Sequence, residues 1–252
     1  MSEPRTTGIL GHLRELRKRV LYSVIAIMVG SVVGFIQPVY DWTIARITEP
    51  ALDVAPAGFE FIYNRVAEGF SVGMRVSIMA GFLLAMPVIM YNVLMFILPA
   101  LTTREKRTVL FILPWVLLMF FGGVLFAYYF LLPPAFSFLL KFGTNLSTPV
   151  RTMINLGDYV SFVLRLVLLV GGLFELPVVT TFLARMGIIG WRGLLGKEKI
   201  VVIGAFVGAA AITPTPDALN QTIVAGTIIL LYQLSIALAW LVEKRKKKPA
   251  IT

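Results

Sequence analysis

The chain has 252 residues, a formal net charge of +10, no cysteine and a single histidine. Hydrophobic residues make up 58% of it and charged residues 14%, against about 45–50% and about 25% in a soluble domain. This balance excludes an ordinary soluble fold, and the missing cysteine excludes disulfides, thiol nucleophiles and Cys-ligated metals. The apolar excess lies in runs long enough to cross a bilayer, and backbone groups in lipid must be satisfied internally. The chain therefore reads as an all-α polytopic membrane protein with six transmembrane helices, kinked, the last two short, and with structured external loops.

Residues 1–19 form a basic N-terminal segment, residues 20–242 the six-span domain, and residues 243–252 a basic tail. The first apolar run, Val20–Ile36, is followed by Gln37-Pro38 and lacks a small-x-small cleavage site, so it reads as an anchor. In the segment before it, GHLRELRKR, Glu15 stands at helical spacing from Lys18 and Arg19, and pairing with one of them is the plain local reading. Residues 38–68 carry Asp41, Glu49, Asp53, Glu60 and Glu68 with Pro50, Pro56 and the aromatics Trp42, Phe59, Phe61 and Tyr63. They are expected to form a folded external cap.

The second and third spans are Val72–Leu98 and Val109–Leu132. Between them Glu105 follows Thr102 and Thr103. Either threonine suits a helix cap, and an acid in the first turn suits the helix dipole. Residues 134–157 are expected to form a second cap. The fourth span is Tyr159–Leu183, the fifth Ile200–Ile212 and the sixth Gln221–Val242. Pro87, Pro114 and Pro177 fall inside spans and predict kinks. The fifth run has 13 residues, about 20 Å at 1.5 Å per residue, against a hydrocarbon core roughly 30 Å thick. It reads as a short true span, because the basic tail must return to the side of the N-terminus.

Most of the 23 Lys and Arg lie before the first span, in the 2–3 and 4–5 connections and in the tail. By the positive-inside rule both termini are cytoplasmic. The +10 charge needs no nucleic acid partner, since a polybasic tail beside a span is explained by anionic membrane lipids. Glu175, in VGGLFELPVV, is the one charged group near the middle of a span. A carboxylate at that depth is costly, which makes it a functional candidate. An echo at an offset of 90 residues pairs Glu68 with Asp158, Arg75 with Arg165 and Pro87 with Pro177. It places Ala85 opposite Glu175, so whatever Glu175 does belongs to the fourth span alone. Gly30-x-x-x-Gly34 and Gly204-x-x-x-Gly208 allow close helix approach, within the chain or to a partner.

Catalysis finds little support. His12 is the only histidine, no phosphate-cradling loop occurs, and no cluster offers metal-ligand spacing. No cofactor is expected. One alternative uses Glu175 as the coupling acid of a proton-coupled secondary transporter of a small solute.

Four stretches together resemble one family. HLRELRKR before the first span, FILPALTTREKR after the second, GGLFELPVV in the fourth and ITPTPDALNQ before the sixth are similar to TatC, the multispanning receptor of twin-arginine protein export. The resemblance runs from about residue 11 to 242. It implies that Glu15 and Glu105, with Arg17 and Phe96, bind the twin-arginine signal peptide of folded cargo at the cytoplasmic face. Two adjacent guanidiniums are well held by two carboxylates. It implies that Glu175 meets a partner's transmembrane helix, with Gln221 and Thr222 as polar positions of the sixth span, and that Pro50 and Asp217 are outward-side family positions. It also implies single-span partner subunits of the TatA and TatB type, self-association in the complex, the proton gradient as energy source, and the cytoplasmic membrane of a bacterium or archaeon as location.

Overall fold

The computed structural model describes residues 9–55, 59–97, 103–144, 153–212 and 218–246. The chain divides into two compact units, one of Met1–Ala45 with Gly69–Leu117, the other of Arg46–Glu68 with Leu118–Thr252.

Proline sets many of the helix ends. It has no N–H to give the carbonyl four residues back, and its ring crowds that carbonyl. Helix α1 (Ile9–Gly34) stops four residues before Pro38. Helix α2 (Gln37–Leu52) then starts with Pro38 in its first turn, where the missing donor costs nothing, and leaves α1 at 91°. Helix α3 (Glu68–Ile97) passes through Pro87, and α4 (Thr103–Phe126) through Pro114, so neither proline ends its helix. After α4 comes a π-helical turn, Ala127–Leu131, closed by the Leu132 N–H on the Ala127 carbonyl. It precedes Pro133 and Pro134, and α5 (Leu132–Thr144) continues from it. Helix α6 (Leu156–Leu173) ends four residues before Pro177, and α7 (Leu176–Met186) restarts with that proline in its first turn. Gly187, at φ 80°, closes α7 in the left-handed conformation that glycine adopts freely. A short α8 (Trp191–Leu195), α9 (Glu198–Ile212) and α10 (Ala218–Lys246) complete the chain.

In the first unit α1 lies against α3 through glycine. A Cβ on Gly30 would stand 2.7 Å from the Gly81 carbonyl oxygen, and one on Gly34 2.8 Å from that of Ser77. The Ser77 hydroxyl donates to the Gly34 carbonyl at 3.2 Å. The first small-residue motif therefore serves packing within the chain.

In the second unit, β1 (Glu60–Ile62) and β2 (Met153–Asn155) pair in parallel, Phe61 opposite Ile154. Phe61, Tyr159, Phe136 and Phe162 form a chain of ring contacts with centroids 4.6–5.7 Å apart. The Tyr159 hydroxyl donates to the Ile47 carbonyl, tying the end of α2 to α6. A Cβ on Gly123 would meet the Phe174 side chain at 2.8 Å and the Gly171 Cα at 3.0 Å, which fixes a close crossing of α4 and α6. Helix α10 packs along α7, α8 and α9. The Tyr232 hydroxyl gives it a bond to the Leu194 carbonyl at 2.7 Å, and the Gln233 amide donates to Glu198.

Six helical segments stand where the six spans were predicted, and the fold is that of an all-α polytopic membrane protein. Glu68–Phe96, Ile112–Phe138, Leu156–Met186 and Gln221–Lys244 are each long and apolar enough to cross a bilayer. Helix α9 is short, 15 residues or about 22 Å. The sixth helix is not short, contrary to expectation. Helix α10 has 29 residues, and its apolar stretch has 24, about 36 Å, because polar residues at both ends continue the helix instead of ending it. The cap expected over residues 38–68 is present as α2 and β1. Within the one expected over residues 134–157, the described residues up to Thr144 are helix, since the π turn lets the third span run past Pro133 and Pro134.

Candidate functional site

Among the described residues the buried polar side chains are Thr43, Ser77, Asn92, Glu175, Thr227 and Ser235. A buried polar group must find a partner or bear the full cost of leaving water. Thr43, Asn92, Thr227 and Ser235 each donate to the carbonyl one turn back, at 2.7–2.9 Å, and Ser77 bonds across to α1. Glu175 differs. It is 9% exposed, and its Oε1 is buried with no hydrogen-bonding partner among the described residues.

The local sequence explains its setting. Pro177 interrupts the fourth span, so Phe174 and Glu175 form the break between α6 and α7. The Glu175 side chain does not cap α7. Phe174 packs toward Gly123 and lies 5.4 Å from the Phe126 ring. Gly172, one turn before Glu175, faces open space. The arrangement presents a carboxyl oxygen with no partner among the described residues at a helix break in mid-span. Gln221 and Thr222 bond elsewhere. The Gln221 amide donates to the Phe206 carbonyl at 3.1 Å and the Thr222 hydroxyl to that of Ala218 at 2.5 Å.

At the basic end of the first unit, His12 of α1 stacks on Phe96 of α3, with ring centroids 4.4 Å apart and planes at 19°. Glu15 is one turn further along α1 and pairs with Arg19 at 3.4 Å, so the local partner foreseen in the sequence is present. Arg17 is exposed. Glu105 falls in the first turn of α4, where the structure describes the helix but not the side chain. Two proposed signal-binding positions, Glu15 and Phe96, thus share one region. The stacking of His12 on Phe96 carried no sequence signal, because it joins residues 84 positions apart.

On the expected outer side, Pro50 is buried within α2, and Asp217 lies outside the described residues. Beside Pro50, Arg46 donates to Glu49 at 2.8 Å, and the Tyr128 hydroxyl of the π turn lies 2.9 Å from both the Glu49 carboxylate and the Arg46 carbonyl. The Arg46 guanidinium, and after it the Tyr128 hydroxyl, hold the Glu49 carboxyl below the usual carboxylate range. Sequence reasoning missed this cluster, because it depends on the π turn presenting Tyr128.

Residues 11–226 match the family described as Sec-independent protein translocase protein (TatC). A protein of that description from Carboxydothermus hydrogenoformans is 32% identical over 244 residues, 97% of either chain. One from Aquifex aeolicus is 38% identical over 239 residues, 94% of this chain and 96% of its own. A crystal structure described as twin arginine translocase receptor TatC is 37% identical, with a TM-score of 0.80 over 92% of this chain and 99% of that one. A second, in the detergent DDM, is 38% identical with a TM-score of 0.79. Matched by the family model over most of its length and by relatives over nearly all of it, the chain belongs to the TatC family of Sec-independent protein translocase components.

Proposed function

We propose that the protein is the receptor and core subunit of a twin-arginine translocase, binding twin-arginine signal peptides at the cytoplasmic face. The observation that carries this reading is the meeting of α1 and α3 at the basic end of the first unit, with His12 on Phe96 and Glu15 one turn away. A signal peptide brings two guanidiniums followed by an apolar stretch. The site offers carboxylates from Glu15 and Glu105 and ring surface from Phe96, beside the exposed Arg17. The Glu15–Arg19 pair is part-exposed and i,i+4, so it is weak, and a bidentate guanidinium can replace Arg19 at small cost.

Glu175 supplies the second half of the reading. Its unsatisfied oxygen receives a polar group of a single-span partner of the TatA or TatB type, and transport draws on the proton gradient. Both termini are cytoplasmic by the distribution of Lys and Arg, and the membrane is the cytoplasmic membrane of a prokaryote. Gln221 and Thr222 are polar positions of the sixth span on the partner-helix side of this reading, and Pro50 and Asp217 are outward-side family positions. The transporter alternative draws on Glu175 alone, with no convergent polar set around it.

Photocrosslinking tests the receptor half. A photoreactive residue at position 16, on exposed α1 surface, should crosslink to a signal peptide with twin arginines and not to one with twin lysines. Equal crosslinking of both peptides would reject it.

A further inference from the structure

Arg165 sits in α6, nine residues from its start at Leu156 and inside the apolar stretch Leu156–Met186. It is exposed, and among the described residues no hydrogen bond or ion pair reaches it. Its counterpart in the second span, Arg75, is engaged within the chain. A guanidinium carries five donors and a permanent charge, and in contact with hydrocarbon both are costly. An acceptor must come from outside the described chain.

Depth and direction identify it. Nine residues of helix put the Arg165 Cα about 14 Å below the start of α6. Helical side chains lean toward the N-terminus, so the arm reaches back by about one turn, roughly 5 Å. The guanidinium then lies at the level of Ser161, one turn nearer the end of the helix, in the direction in which a long basic side chain snorkels to the membrane interface. On the other side of Arg165, Leu169 at i+4 is 46% exposed, and Gly172 at i+7 has nothing within 4 Å of where a Cβ would stand. The same face thus offers a cation near the interface and an apolar strip beneath it. Asp158, at i−7, is exposed on that face and makes no ion pair with Arg165. It is the acid nearby on the same helix, and the Ser161 hydroxyl is turned to the Gly157 carbonyl.

We propose that Arg165 and the strip Leu169–Gly172 seat one phospholipid of the leaflet at the N-terminal end of α6, the guanidinium on its phosphate and an acyl chain along the strip. This inference does not depend on signal-peptide binding. In the orientation proposed above, that leaflet is the outer one. The geometry of phosphate and guanidinium favours two parallel hydrogen bonds.

The test is native mass spectrometry of the full chain released from phosphatidylglycerol nanodiscs, counting retained phospholipids. The wild type should hold one lipid that Arg165→Leu loses, with occupancy falling at least about tenfold, the weight of a charge-assisted hydrogen bond. Arg165→Lys should keep it, since an ammonium also binds phosphate. Gly172→Leu, which leaves the charge in place and fills the strip, should lower occupancy. That variant with Arg165→Lys decides the matter if Arg165→Leu does not fold. Unchanged retention in Arg165→Leu or Gly172→Leu overturns the proposal. So does unchanged lipid with loss of crosslinks to another protein's transmembrane segment, which would make the occupant a partner acid.

Discussion

If the proposed role of Glu175 as a hydrogen-bonding group for a partner helix holds, its substitutions should separate by what they can bond. Glu175→Gln keeps shape and hydrogen-bonding groups, so it should retain much of the export activity. Glu175→Ala removes them and should lose more, with fewer crosslinks to the partner helix. Full activity of the alanine variant would make the orphaned carboxyl incidental. In the segment between the first and second spans, Glu49 has a lowered pKa through Arg46 and then Tyr128. A group lowered in the folded state stabilises above its unfolded value, and that stabilisation is lost as pH falls through the lowered one. The thermal midpoint in detergent should therefore drop on acidification below the ordinary carboxylate range, and Glu49→Gln should flatten the drop. An identical acid profile in Glu49→Gln would remove the cluster from the stability of the cap.

Helix contacts explain which glycines matter. Gly30 has no room for a methyl group, because the Gly81 backbone stands 2.7 Å from the Cβ position, whereas Gly204 faces open space. Gly30→Ala should therefore destabilise the protein by about 1–3 kcal/mol, as overpacking does, and Gly204→Ala should leave the thermal midpoint unchanged. Equal midpoints for both would contradict the close α1–α3 packing. The two motifs read alike in the sequence, since spacing alone does not say what lies across from a glycine. Much else at this scale was legible. Proline fixed the end of α1 and the break at Phe174–Glu175, and the length of α9 was visible in its apolar run. The π turn was not. It arises where the helix accommodates Pro133 and Pro134, and it carries the third span into residues read as loop. The length of α10 was underread because Asn220, Gln221 and Glu243 looked like boundaries but continue the helix. The β pair joins residues some 90 positions apart, beyond any local pattern.

For the whole molecule, composition and the order of four motifs were enough to place the chain in its family, and the family match over residues 11–226 agrees with that placement. The sites were legible as residue types only. Glu15, Phe96 and Glu175 were singled out by charge or resemblance, but the stacking of His12, the isolation of the Glu175 oxygen and the diversion of Gln221 to Phe206 follow from packing. The shortness of α9 is itself open to test. Four leucines inserted into α9 add about 6 Å and should lower export without preventing insertion, as measured by membrane fractionation alongside a transport assay. Full activity of the longer helix would deny the short span any role. The central claim is recognition of paired arginines by paired acids, and the most direct measurement is the affinity of a fluorescent twin-arginine signal peptide for the protein in nanodiscs, wild type against Glu105→Ala and Glu105→Gln. Both variants should bind at least about tenfold more weakly, as loss of a charge-assisted pair implies, with little change for a twin-lysine peptide that binds weakly to begin with. Unchanged affinity in Glu105→Ala would contradict it.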